Sequence, residues 1–472
     1  MCTLGPACET VQIITHMVKA GMNIARLNFS HGTHENHAML IERVRAVAEK
    51  TGEPVAILQD IQGPKIRVGV LPKEGVVLTV GEELVFDTAV ETYAGAAIPV
   101  DYKELHKHVK MGERLLLNDG RYEAHVTKVE GTKIIGKIIV GGILTSHKGI
   151  NLPDSTLHVN VITEKDKKDI KFGVEHGVDY IALSFVMGPQ DILDLRYLIQ
   201  EYEKELGIIQ EQPIRIIAKI ERHDAVKNIK EILDVVDGIM VARGDLGIEI
   251  PAEEVPLVQK RIIDEALSAA KPVIVATQML DSMQENPRPT RAEVSDVANA
   301  VIDHTDAVML SNETATGKYP VETVKTMATI IIETERSGYD DMPIREFRGK
   351  HHIIDDVISQ TARVLVEKTQ SKLILAASLS GETARLISRY RPQFPIVVAT
   401  NDKRAYRQME LSWGVHPFLI PPCRTIEELI ERSMLYLKEQ KMVDVGDRIV
   451  IAAGEPVGQA GHLNLLEVRE VE

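Results

Sequence analysis

Short β-branched runs alternating with helical segments constrain this chain more than any other feature. Residues 214–221 (IRIIAKIE) and 238–245 (GIMVARGD) are two such runs, and the segment between them sets Val226, Ile229, Ile232 and Leu233 on one helix side. Strand, helix, strand at this spacing predicts parallel strands joined by a right-handed crossover. The same rhythm recurs at 2–4, 23–29 (NIARLNF), 55–61 (VAILQDI), 180–186 (YIALSFV), 272–279 (PVIVATQM) and 307–313 (AVMLSNE). Eight βα units predict an α/β fold of the (β/α)8 barrel kind.

Two stretches break that rhythm. From about Val68 to Pro153 the chain alternates brief β runs with glycine turns, which predicts an inserted all-β domain over 68–153. The barrel is then discontinuous, 1–67 and 154–336, with the insertion after strand three. That position overlies the edge where such barrels hold their chemistry, so the insertion can act as a lid. From 337 to 472 a second α/β series, with strands such as KLILAAS, PIVVAT and RIVIAAG, predicts a C-terminal domain with its own core.

Composition narrows the function. A net charge of −14 argues against nucleic acid as the main partner. Cys2, Cys8 and Cys423 form no CxxC pair, which points to a reducing compartment without disulfides or zinc. No apolar run approaches a membrane span and no signal peptide opens the chain, so a cytoplasmic enzyme or regulator is expected.

Polar residues gather at the carboxyl ends of the barrel strands. Lys219 and Glu221 are two apart and point to one side, and Asp245 is expected to end the next strand, after Gly244. Arg26, Asn28 and Ser30 share a period of two, followed by His31; Asp60 closes strand three, with Lys65 and Arg67 in the turn beyond; Thr277, Ser311 and Glu313 close strands seven and eight. An exposed Lys–Glu pair would contribute little. These charges, however, end runs too apolar for surface strands, and burying them is costly unless the site uses them. Glu221 and Asp245 are hard oxygen ligands, too few for a full cage, which suits Mg²⁺. Arg26, Lys65, Arg67 and Lys219 would surround an oxygen-rich anion such as a phosphoryl group. Metal plus cations predicts phosphoryl transfer or enolate chemistry, and without GxxxxGK[ST] nucleotide binding would not use a P-loop.

Other features have plainer readings. In 378–383 (SLSGET), Ser378, Ser380, Gly381 and Thr383 could receive a phosphate, although Glu382 disfavours an anion and Ser/Gly turns are common caps. His34 and His37 are expected to be solvated, and Trp413 to serve packing. The stretch 285–301 (ENPRPTRAEVSDVANAV) fits a rigid loop near the site or a subunit contact.

The motifs TLGPA, ARLNFSHG, DIQGPKIR, IAKIE, MVARGDLGIEIP, ATQMLDSM, NPRPTRAEVSDVANAV and DAVMLSNETATGKYP, in this order, resemble those of the pyruvate kinase family over essentially the whole chain. The resemblance implies transfer of the phosphoryl group of phosphoenolpyruvate to ADP, giving pyruvate and ATP, with Mg²⁺ or Mn²⁺. It implies that Arg26 meets the substrate phosphate and that Lys219 stabilises the phosphoryl group in transit. Glu221 and Asp245 would hold the metal. Gly244, Asp245 and Thr277 would hold the substrate carboxylate, with Thr277 on the side where the enolate is protonated. Asn28, Ser30, His31, Arg67 and Lys148 would lie near the nucleotide phosphates. A homotetramer is implied as well.

Departures from the family pattern carry their own expectations. Many members need K⁺ and read DTKGPEIR; here Ile61 replaces a hydroxyl and Lys65 a glutamate, so the Lys65 ammonium is expected to stand in for K⁺. Fewer residues than usual precede TLGP, which predicts a weakened first strand. Glu382, His462 and Leu463 do not favour a sugar bisphosphate, leaving a sugar monophosphate, AMP or no effector. Two rivals follow. A metal-enolate lyase or aldolase would lack the insertion and Lys148, and a regulatory paralogue should have lost Lys219 or a metal ligand.

Overall fold

The computed structural model describes residues 1–93, 95, 97–155, 160–209, 212–347, 353–454 and 463–472. Eight strands form one parallel sheet in chain order: Cys2–Thr3 (β1), Ile24–Asn28 (β2), Ala56–Asp60 (β3), Tyr180–Leu183 (β4), Arg215–Ile220 (β5), Gly238–Ala242 (β6), Val273–Ala276 (β7) and Ala307–Met309 (β8). β1 is brief, yet it closes the ring. Cys2 bridges Leu310, the Thr3 N–H donates to the Leu310 carbonyl at 2.9 Å, and the Leu310 N–H donates to the Met1 carbonyl at 2.9 Å.

Period two separates the two faces of each strand. Ile24, Leu58, Tyr180, Ile217, Met240, Ile274 and Met309 pack inside the barrel, while Ala25, Ile57, Ile181, Ile216 and Ile239 pack outward. Leu411, from the C-terminal region, joins the inner cluster, and the Tyr180 hydroxyl donates to the Gln408 carbonyl. One further inward step along the strands replaces Ile24, Leu58 and Ile217 with Arg26, Asp60 and Lys219. The interior thus changes from apolar to charged at its carboxyl end.

Several strands stop sooner than their apolar runs suggest. β6 ends at Ala242, and Arg243–Glu249 is a helix, so Asp245 sits in a helical first turn rather than at a strand end. An acid is favourable there against the helix dipole. β2 ends at Asn28, leaving Ser30 in an exposed turn and out of strand register. The crossover between β5 and β6 is two helices, His223–Lys227 and Ile229–Val235, broken at Asn228, whose side-chain amide donates to the Met187 carbonyl at 2.8 Å.

Between β3 and β4 a six-stranded sheet and a two-stranded pair enclose Phe86, Leu115, Ile134 and Ile138. The C-terminal region is a five-stranded sheet. Val415–Leu419, Ile396–Thr400, Ile374–Ala377 and Arg448–Ala453 run parallel, with Leu465–Glu470 antiparallel at the edge. No helix of the described residues is long and apolar enough to cross a membrane.

Candidate active site

Asp60, at the end of β3, is the hub of the charged layer. Arg26 Nε and Nη2 both reach its Oδ2 at 2.7 Å, and Lys219 Nζ lies 3.3 Å from its Oδ1. Arg26 Nη1 also donates to Thr3 Oγ1 at 2.8 Å, so β1, β2 and β3 together fix one guanidinium. Lys219 Nζ is 2.8 Å from Glu221 Oε1 and donates to Ser184 Oγ at 2.9 Å. Ser184 in turn donates to the Ile61 carbonyl at 2.6 Å. Asp60 and Glu221 are each 1% exposed, which places the network in low dielectric where unpaired charge is expensive.

The shifts of these groups follow from that burial. Burial raises the Asp60 carboxyl, but Lys219 and then Arg26 outweigh it and hold Asp60 below its ordinary value. Burial lowers the Lys219 ammonium, but Asp60 and then Glu221 reverse this and hold it above its ordinary value. Glu221 is raised, first by burial and then by the charge of Asp245, against the opposing pull of Lys219. Lys219 and Glu221 both moving up is consistent if Asp60 is the stronger partner of Lys219 and Glu221 the acid that yields.

Backbone geometry completes the site. The Phe185 N–H donates to Glu221 Oε2 at 2.8 Å from a left-handed backbone with φ of 57°. Gly63, in the turn after β3, has φ of 69°; a Cβ there would come within 3.0 Å of the Phe185 ring and 3.1 Å of Ser184 Cβ. Only glycine lets that turn rest on the Ser184–Phe185 corner. The Gly244 N–H donates to Thr277 Oγ1 at 2.8 Å, joining the helix after β6 to the loop after β7. Thr277 itself has φ of 71° and Gln278 φ of 55°. A β-branched residue in this region stores strain, a feature that concentrates at functional sites.

Lys65 lies between two acids, 3.3 Å from Asp119, in a hairpin turn of the inserted region, and 3.9 Å from Asp245. Arg67 and Lys148 meet at the base of the insertion. The Arg67 N–H donates to Asp101 Oδ1 at 2.8 Å, its Nη1 donates to the His147 carbonyl at 3.0 Å, and the Lys148 carbonyl accepts from the Val68 N–H at 2.9 Å. Asn28, Ser30 and His31 form a rim turn in which Asn28 Oδ1 accepts from the Ser30 N–H at 3.1 Å. Glu313 is buried and occupied by the N–H groups of Ser311 and Leu280.

Some expectations change. His37 is buried, stacked on Phe29 at 4.0 Å and bonded to the His31 carbonyl at 2.9 Å, and His34 pairs with Asp169 at 2.7 Å. His37 is thus not solvated, because it helps seat the turn after β2, whereas His34 pairs with Asp169 while its side chain stays 41% exposed. Trp413 packs as expected between the barrel and the C-terminal sheet, with its Nε1 donating to Glu335 at 2.7 Å. The Ser378–Thr383 loop is far from this site. Its Ser380 carbonyl accepts from Arg215, the first residue of β5, about 20 Å along the strand from Glu221. Leu463 is buried, with its N–H on Asp355; His462 lies outside the described residues. Sequence reasoning missed Ser184, Thr3 and Arg243. Ser184 carries a signal, being two residues beyond Ala182 on the inward face. The partners of Thr3 and Arg243 lie on other elements and leave no local pattern.

Among the described residues no three acidic, histidine or cysteine side chains form a complete metal cage. Glu221 and Asp245 do fit a hard divalent ion. They are close enough for one charge to raise the other's pKa, and a cation between them would relieve that repulsion.

Comparison with known proteins identifies the family. Residues 1–324 match the family model described as pyruvate kinase, barrel domain, and residues 356–469 match pyruvate kinase, alpha/beta domain. A pyruvate kinase of Geobacillus stearothermophilus is 43% identical, covering 100% of this chain and 80% of its own. One from Clostridium acetobutylicum is 42% identical, covering 100% and 98%. The crystal structure of a pyruvate kinase from Cryptosporidium parvum superposes with a TM-score of 0.91 at 34% identity, covering 100% of this chain and 95% of its own. The chain belongs to the pyruvate kinase family.

Proposed function

We propose that the carboxyl edge of this barrel transfers the phosphoryl group of phosphoenolpyruvate to ADP, leaving enolpyruvate that is protonated to pyruvate. The observation that carries this reading is the charged Lys219, fixed by Asp60, Glu221 and Ser184 beside the Arg26 fork. Arg26 binds the phosphate of the substrate. Lys219 neutralises charge on the phosphoryl group as it passes, without needing to move, because its three partners already orient it. The helix start at Gly244 and Asp245, with Thr277, receives the substrate carboxylate. Asn28, Ser30, His31, Arg67 and Lys148 face the nucleotide phosphates.

Glu221 and Asp245 hold Mg²⁺, or Mn²⁺, which when bound supplies Lewis-acid stabilisation of phosphoryl and enolate oxygens. Lys65 takes the place of K⁺, so activity does not require K⁺. Its reach to Asp119 and Asp245 supports this, since one fixed ammonium then serves both lid and barrel. The domains are the barrel (1–67 and 154–336), the lid (68–153) and a regulatory unit (337–472). In the last, Ser378, Ser380, Gly381 and Thr383 would bind a sugar monophosphate or AMP. The enzyme acts in the cytoplasm as a homotetramer. The presence of Lys219, Glu221 and Asp245 favours this over a non-catalytic paralogue.

The test is pyruvate formation with Mg²⁺ in tetramethylammonium salt, with and without K⁺. Full activity without K⁺ supports both the reaction and the role of Lys65. Activity only with K⁺ keeps the reaction and refutes Lys65. No activity in either refutes the reaction.

A further inference from the structure

Arg243 opens the helix Arg243–Glu249 directly after β6, and its side chain turns toward the loop after β7. Its Nη1 pairs with Asp296 at 2.7 Å. Its Nη2 donates to the Thr277 carbonyl at 2.8 Å and lies 2.8 Å from Met279 Sδ and 3.4 Å from the Gln278 carbonyl. The side chain is only 12% exposed.

This loop needs holding. Thr277 and Gln278 are consecutive non-glycine residues with positive φ. Such a pair persists only where its surroundings over-determine it. Two ties act through the Thr277 hydroxyl, which accepts from the Gly244 N–H and donates to the Ala276 carbonyl at 2.6 Å. Arg243 provides a different tie, gripping the carbonyls of the two strained residues.

We propose that Arg243 is a positioning residue for the reaction. It clamps the Thr277 carbonyl to Asp296 and so presents the Thr277 hydroxyl to the helix start at Gly244 and Asp245. The proposal rests on the pyruvate kinase reading of this site. It adds a direction of coupling: Asp296 lies on the helix Arg291–Ile302, so displacing that helix would be felt at Thr277. Lysine cannot replace the fork, because a single ammonium does not span an Asp296 oxygen and two carbonyls.

The test is a double-mutant cycle of R243A with T277A, alongside R243K and D296N. Loss of a charge-assisted bond at a site used in the transition state predicts that R243A lowers kcat by about 30-fold, with the phosphoenolpyruvate KM changed by less than about threefold. R243K recovers little of this, whereas guanidinium ion added to R243A restores part of it. In the T277A background R243A costs less than about a further threefold, since both changes remove one function. Equal factors in the two backgrounds, or wild-type kcat in R243A, would overturn the proposal. Amide exchange over residues 277–280 gives a readout independent of activity, expected to be about tenfold faster in R243A and in D296N. Unchanged exchange overturns the clamp even if kcat falls. A wild-type enzyme inactive on phosphoenolpyruvate and ADP would instead refute the functional reading, while exchange still decides the clamp.

Discussion

Asp60→Asn is the most informative single change, because Asp60 is the carboxylate on which Arg26 and Lys219 converge. The substitution keeps the shape and one carbonyl oxygen, removes the charge and turns an amide donor toward a cation. Two guanidinium nitrogens at 2.7 Å and an ammonium at 3.3 Å then face a neutral group at a position 1% exposed. Removing one partner of a buried pair costs about 3–5 kcal/mol. At about 2–4 °C per kcal/mol for a domain of this size, the barrel should melt about 6–20 °C lower at pH 7. A loss of about 3 kcal/mol of orientation in the transition state lowers kcat/KM about 10²-fold.

The pH dependence has a definite sign. Asp60 is held below its ordinary 3.8. A depressed carboxyl contributes stability above its unfolded pKa and loses it as pH falls through the folded value. The wild-type and D60N melting curves should therefore converge below about pH 4. Thermal melts by circular dichroism from pH 3 to 8, paired with steady-state kinetics, measure both effects. A D60N enzyme that melts with the wild type at pH 7, or a gap undiminished at pH 3, would show that Asp60 does not hold the charged layer together.

Gly244→Ala adds a methyl 3.4 Å from Thr277 Oγ1, an ordinary contact, so Tm should hold. The methyl crowds the helix start proposed to receive the substrate carboxylate, so the phosphoenolpyruvate KM should rise about tenfold in steady-state assays. Leu411→Ala removes the side chain that packs into the barrel interior from the C-terminal region. It should cost about 2–5 kcal/mol in denaturant unfolding while leaving KM near wild type. Burial raises the thiols of Cys2 to about 11 and Cys8 to about 12, leaving half-exposed Cys423 as the accessible one. An aromatic disulfide reagent should titrate one thiol in the native enzyme and three after unfolding.

Much of this fold was legible in the chain because period two is a strong signal in buried parallel strands. The same alternation that puts Ile217 inside puts Lys219 and Glu221 on the same inward line, so the charged layer could be read residue by residue. What escaped depends on three-dimensional closure. Asp245 reads as a strand end, because an apolar run carries no mark of where its backbone turns helical. Arg243 looks like one more charge in a motif, since Asp296 and Thr277 are 53 and 34 residues away. The left-handed backbone at Phe185, Thr277 and Gln278 has no compositional signature, because none is glycine. His37 reads as solvated for a similar reason: its burial depends on Phe29, which belongs to a different element.

The proposed function has this edge of the barrel move a phosphoryl group past Lys219. Its most direct test is the stoichiometry and rate of pyruvate and ATP formation from phosphoenolpyruvate and ADP with Mg²⁺, for the wild type and for Lys219→Ala. Equimolar products are expected from the wild type, with a loss of about 10³-fold in kcat for the variant and phosphoenolpyruvate still bound. A variant turning over at the wild-type rate, or a folded wild type that forms no pyruvate, would contradict it.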